Sequence, residues 1–137
     1  MTRKEAKREL SPLKYMDADI RAIELEIERL MAVATKMTAN YDPINVSVTP
    51  KNKLEEAVVK MEEYKGRLSS MVIKSLEYRN MCLSKIEKIE SSPLRDILML
   101  YYFQDNTIEK TAEKIGKSPR WTFTMFEAAL DEYSKIS

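Results

Sequence analysis

Residues 13–37, LKYMDADIRAIELEIERLMAVATKM, decide how this chain folds. Leu13, Met16, Ile20, Ile23, Ile27, Leu30, Ala34 and Met37 recur in alternating steps of three and four. That spacing draws an a/d stripe down one face of an α-helix; a half-buried strand would alternate every second residue instead. Asp17, Asp19, Arg21, Glu24, Glu26, Glu28 and Arg29 fill the other faces. The stripe predicts an amphipathic helix of about 27 residues, roughly 40 Å long. So regular a seam needs a second helix to face, either in the same chain or in another subunit.

Downstream, residues 40–48 (NYDPINVSV) break the period with Asn40, Pro43 and Asn45, and read as a loop. Ser11-Pro12, Thr49-Pro50, Ser92-Pro93 and Ser118-Pro119 each read as a helix N-cap followed by proline at the first helical position, where its missing N–H costs nothing. From Thr49-Pro50 a second stripe runs through Leu54, Ala57/Val58, Met61, Tyr64, Leu68, Met71/Val72, Leu76, Cys82, Ile86 and Ile89. It predicts a helix of about 42 residues, roughly 60 Å, supported by the i,i+4 pairs Glu56–Lys60 and Glu63–Arg67. Two long stripes around a short loop imply an antiparallel hairpin. The unmatched end, residues 78–91, must then pack on the C-terminal segment or on another subunit. Three shorter helices follow, at about 94–103, 108–115 and 119–133, with a turn at Gln104-Asp105-Asn106. The fold expected is all-α: a helical hairpin over residues 1–91 with a basic N-terminal arm (Arg3, Lys4, Lys7, Arg8), then a three-helix domain over 92–137.

Composition narrows the chemistry. The 137 residues include no His, one Cys and two Gly. Histidine-based triads and histidine metal ligation are excluded, and glycine-rich phosphate loops lack their glycines. Cys82 has no internal disulfide partner, and its place on a helical stripe reads as a small buried residue. Glu55-Glu56 and Glu62-Glu63 read as a solvated helix face, and Tyr101-Tyr102-Phe103 as core at the end of an apolar helix. No enzyme, cofactor or metal site is expected. The charged opening MTRKEAKREL lacks the apolar run of a signal peptide, and no stretch approaches a membrane span. A cytoplasmic protein is expected, with neither a membrane nor a small-molecule substrate among its partners.

The most specific signal is Thr107–Leu130. A Thr-capped helix of about eight residues ends at Gly116, a short turn follows, and a second helix begins at the Ser118 cap. That is the spacing of a helix-turn-helix. Gly116 suits the left-handed residue of the turn, and Ala112, four before it, suits the close crossing of the two helices.

The string Leu98, Leu100, Tyr101, Tyr102, Phe103, then Thr107, Ile108, Glu109, Ala112, Ile115, Gly116, Ser118, then Ala128, Ala129, Leu130 resembles region 4 of sigma-70-type factors. With the long hairpin ahead of it, the chain is similar to small phage and prophage proteins of the ArpU type, which regulate late transcription. The resemblance implies a non-enzymatic DNA-binding regulator of phage or prophage genes. Its second motif helix, from Ser118, would enter the major groove. Arg120 and Thr124 would then contact bases, and Lys110, Lys114, Lys117 and Ser118 the phosphates. Thr111, Lys117 and Thr122 stand where the family places apolar residues, and Trp121 and Phe123 are expected to pack.

Charge leaves the reading open. Residues 107–124 carry four basic and two acidic groups, whereas residues 93–137 carry six basic against seven acidic. Double-stranded DNA is the expected partner, with RNA polymerase and a second copy joined through the hairpin as further ones. An interaction module that binds the transcription machinery without DNA affinity remains an alternative. So does a packaging factor resembling a small terminase subunit.

Overall fold

The computed structural model describes residues 1–39 and 48–136, with side chains for 1–36 and 52–136. The loop expected around Pro43 and the side chain of Met37 lie outside the described residues. Within them the chain is all-α, with no strand. The elements are α1 (Arg3–Leu10), α2 (Pro12–Ala39), α3 (Val48–Glu87), α4 (Ser92–Leu98), α5 (Ile108–Ile115) and α6 (Pro119–Ser134). A π-helical turn, Met99–Phe103, continues α4.

The basic arm is a correction: residues 3–10 form a helix. Thr2 caps α1 by accepting from the Glu5 N–H at 3.1 Å, and Ala6 and Leu10 are fully buried. Ser11, expected to cap the next helix, has helical dihedrals and donates its hydroxyl to Lys7 O instead. Pro12 has no N–H to continue the ladder, so it divides α1 from α2 without an intervening loop. At the other starts, α3 begins at Val48, one residue before Thr49, and α4 is capped at Ser91, which places Pro93 one position further in.

The chain divides into two compact units, residues 18–74 and residues 1–17 with 75–137, not at residue 91. Within the first, Ile20 and Ile23 are half-buried and Ile27 and Leu30 buried, as the stripe requires. Leu54, Ala57, Met61, Tyr64, Leu68 and Met71 turn inward from α3. The Glu26 carboxyl is lowered by its hydrogen bond from Arg29 and, more weakly, by the charge of Lys60. Glu26 lies 13 residues before Ala39 and Lys60 lies 12 after Val48, the nearly matched spacing of an antiparallel pair.

The second unit holds the larger core. Its centre is α6, which packs against α1, α4 and α5 and buries Phe126, Ala129, Leu130 and Tyr133. Cys82 and Ile86 bring the end of α3, and Ile89 just beyond it, into the same cluster, together with Leu10 and Leu13. That is the partner the unmatched end of the second stripe required. Leu76 was misassigned to the stripe: it is 56% exposed, and Ser75 at 7% takes the inward position.

Aromatic packing fixes the end of α4. The wide π-helical turn sets both Tyr101 and Tyr102 against Phe126, with ring centroids 4.6 and 5.8 Å away. Lys14 closes the following turn, its ammonium 3.8 Å from the Tyr101 ring centroid and bonded to Asp105 Oδ1 and Asn106 O.

Two buried tyrosines differ in how their hydroxyls are satisfied. Tyr133 OH donates to Glu9 Oε2 at 2.7 Å, and Glu9 in turn pairs with Lys85 at 3.0 Å. Tyr102 OH is buried with no hydrogen-bond partner among the described residues, and burial pushes its pKa up. Tyr102→Phe should therefore stabilise the protein by about 1 kcal/mol, since it removes an unsatisfied polar group. Tyr133→Phe should destabilise it by about 2 kcal/mol, since it takes a donor from a charged acceptor. Urea unfolding of the two variants reads the opposite signs directly.

Candidate nucleic-acid interface

Three backbone devices set α5 and α6 at a defined angle. Thr107 caps α5 by accepting from the Lys110 N–H at 3.1 Å. At its other end Gly116 takes φ +73°, in the left-handed region. Lys117 N then donates to Ala112 O at 3.0 Å and Gly116 N to Glu113 O at 3.3 Å, the paired bonds of a Schellman motif. Ser118 finally caps α6, accepting from the Trp121 N–H at 3.1 Å, with Pro119 in the first turn. The turn between the helices is thus residues 116–118, and the buried Ala112 allows close packing of α5 on α6.

Thr111 and Thr122 stand where an apolar residue was the expectation, yet both are fully buried. Their hydroxyls donate one turn back, Thr111 to Thr107 O at 2.8 Å and Thr122 to Ser118 O at 2.9 Å. Each therefore presents its methyl group to the core with no polar atom left over. Lys117 is exposed, its ammonium 5.4 Å from the ring centroid of the half-buried Trp121.

Arg120 and Thr124 are exposed one turn apart on α6. Thr124 spends its hydroxyl hydrogen on Arg120 O at 3.1 Å, leaving its methyl group and oxygen lone pairs outward. Phe123, expected to pack, is 49% exposed between them. Lys110, Lys114 and Lys117 are exposed on α5 and the turn. Lys110 lies 3.4 Å from Glu113, an exposed pair worth little, whereas Lys114 and Arg120 have no ion pair among the described residues. Ser118 is also exposed; its oxygen serves the cap as an acceptor and keeps its hydrogen to donate.

The residue that sequence reading missed is Arg3. From α1 it reaches α6, with Nε and Nη2 donating to the two Asp131 carboxylate oxygens, each at 2.7 Å, and Nη1 donating to Glu127. Its hydrogen bond holds the Asp131 carboxyl below its ordinary pKa. Glu127 and Asp131 follow Arg120 and Thr124 along the outer face of α6, so the acidic half of that face is closed by a guanidinium and the first half is bare. The sequence held one clue, the T-x-x-E capping box of Thr2 and Glu5, which announces α1. The pairing itself spans 128 positions and leaves no local trace.

Among the described residues no helix is long and apolar enough to cross a membrane. Comparison of the chain with protein-family models, curated proteins and solved structures gives no significant match.

Gly116→Ala tests the turn. Nothing lies within 4 Å of the added Cβ, so its cost is purely the left-handed backbone. A loss of about 1–2 kcal/mol in unfolding free energy is expected, and an unchanged melting curve would show that the turn is not held at positive φ.

Proposed function

We propose that this chain is a non-enzymatic transcription regulator that binds double-stranded DNA with α5 and α6 acting as a helix-turn-helix. The observation that carries the proposal is the outer side of the first half of α6, where Arg120, Phe123 and Thr124 are exposed. A recognition helix offers its N-terminal residues to base edges in the major groove. Arg120 supplies a bidentate donor for guanine, and Lys110, Lys114 and Lys117, with the Ser118 hydroxyl, supply phosphate contacts. The near-neutral charge of residues 93–137 is offset in part by Arg3. Two of the seven acidic groups, Glu127 and Asp131, share the single positive charge of Arg3, which comes from outside that segment. The phage or prophage role follows from the resemblance to ArpU-type regulators.

Fluorescence anisotropy with a labelled duplex tests this. Three lysine–phosphate contacts give a slope of log affinity against log salt near −2.7, about a fortyfold loss between 50 and 200 mM salt. Lys114→Ala should make the slope shallower by about one, lowering affinity for all sequences alike. Arg120→Ala should cost about 1–3 kcal/mol on a selected site and little on random DNA. Arg3→Ala, which frees Glu127 and Asp131 beside the groove face, should weaken both. Retention that ignores salt would instead favour a protein-interaction module without DNA affinity.

The hairpin carries the protein contacts in this proposal. Leu25, Met31, Val59 and Ile73 are 48–57% exposed on residues 18–74, a surface suited to a second copy or to RNA polymerase. Light scattering should return twice 16.0 kDa if the partner is a second copy. A large ring would point to a packaging factor resembling a small terminase subunit.

A further inference from the structure

We infer that Phe123 reads thymine by its C5-methyl group, making a thymine beside the base contacted by Arg120 part of the recognised sequence. The inference rests on the proposal that α6 binds duplex DNA, and it names a specificity determinant within that interface.

Three observations lead to it. First, Phe123 is the exception among the aromatic residues of α6: Phe126 and Tyr133 are at most 2% exposed and Trp121 is half-buried, whereas Phe123 is 49% exposed. Its ring contributes nothing to the core that would account for it. Second, Phe123 stands three residues after Arg120 and next to Thr124, so all three share one side of the first two turns. A helix laid in the major groove with Arg120 on a base edge brings Phe123 to the groove floor as well. Third, the carboxylate one turn further on, Glu127, is held by Arg3.

The chemistry then selects the base. A phenyl ring neither donates nor accepts a conventional hydrogen bond. The C5-methyl of thymine is the apolar group that the major-groove edges of the four bases offer, and Phe is among the side chains that meet it. Burying that methyl against a ring is worth the transfer of roughly one methylene-sized group, about a threefold to fivefold difference in affinity. Thr124 also presents a methyl group, so the test has to separate the two residues.

Deoxyuridine substitution does so, since it removes the methyl and keeps base pairing and the O4 acceptor. A duplex is first selected from a random pool with the 137-residue chain. Each thymine is then replaced in turn, and affinity is measured for the wild type, Phe123→Ala, Phe123→Leu and Thr124→Ser. The wild type should lose threefold to fivefold at one thymine. Phe123→Ala should bind thymine and deoxyuridine equally there, Phe123→Leu should keep part of the difference, and Thr124→Ser should keep all of it. Discrimination that survives in Phe123→Ala, or is absent at every position in the wild type, overturns the assignment while leaving duplex binding intact. If Phe123 packs on a second copy, Phe123→Ala dissociates a wild-type dimer, no thymine effect is seen, and the assignment fails. A wild-type chain that binds no duplex at all removes the interface and the assignment together. Because Phe123 lies outside the core, its variants should match the wild-type circular dichroism and melting curve.

Discussion

Burial of one face of α6 is the constraint on which the C-terminal unit depends. Phe126, Ala129, Leu130 and Tyr133 leave that helix a single inward orientation, and three separate elements meet it there: α1, α4 with its π-helical turn, and α5. Four such side chains cannot be turned to water without losing several kcal/mol. The opposite face is therefore outward by necessity. Arg120, Phe123 and Thr124 owe their exposure to the packing of residues one or two turns away, and a groove-binding helix needs that rigidity to hold side chains in register with base pairs.

Polar groups finish what the apolar face begins. Thr111 and Thr122 enter the core with their hydroxyls bonded one turn back, so two residues that look out of place in the sequence cost little in the structure. Glu9 joins three elements, accepting from Lys85 and Tyr133 through its carboxylate and from Tyr78 OH through its carbonyl. Arg3 adds charge control, because it fastens α1 to α6 and sets one positive charge against two carboxylates of the outer face. The short first helix thus serves both the fold and the electrostatics of the proposed interface.

The sequence was legible where the governing physics is local. Every a/d position of the stripe from 13 to 34 is buried or half-buried, since a 3.5-residue period needs no knowledge of the partner helix. Thr107, Gly116 and Ser118 were placed correctly because caps and a left-handed turn are decided within four residues. Misreadings arose where residue chemistry was preferred to the period, or where a neighbour distant in sequence decides. Leu76 was preferred to Ser75 on hydrophobicity, but the period back from Cys82 places 75 inward and leaves 76 outward. Helix α1 carries two buried apolar residues among charged ones, too few to show an apolar stripe, and its burial depends on α6 more than a hundred positions away. Phe123 was expected to pack by its chemistry, although its neighbours Thr122 and Phe126 already fill the inward positions. Of the proposed interface, the backbone frame was readable and its electrostatic balance was not.

DNA binding is the central proposal, and its location on the molecule is its sharpest feature. Amide NMR of the 137-residue chain, titrated with a duplex at low salt, addresses both at once. Binding through α5 and α6 predicts shift changes concentrated between Thr107 and Thr124 that reverse as salt is raised. Changes centred on residues 18–74, or an unchanged spectrum at saturating duplex, would contradict it.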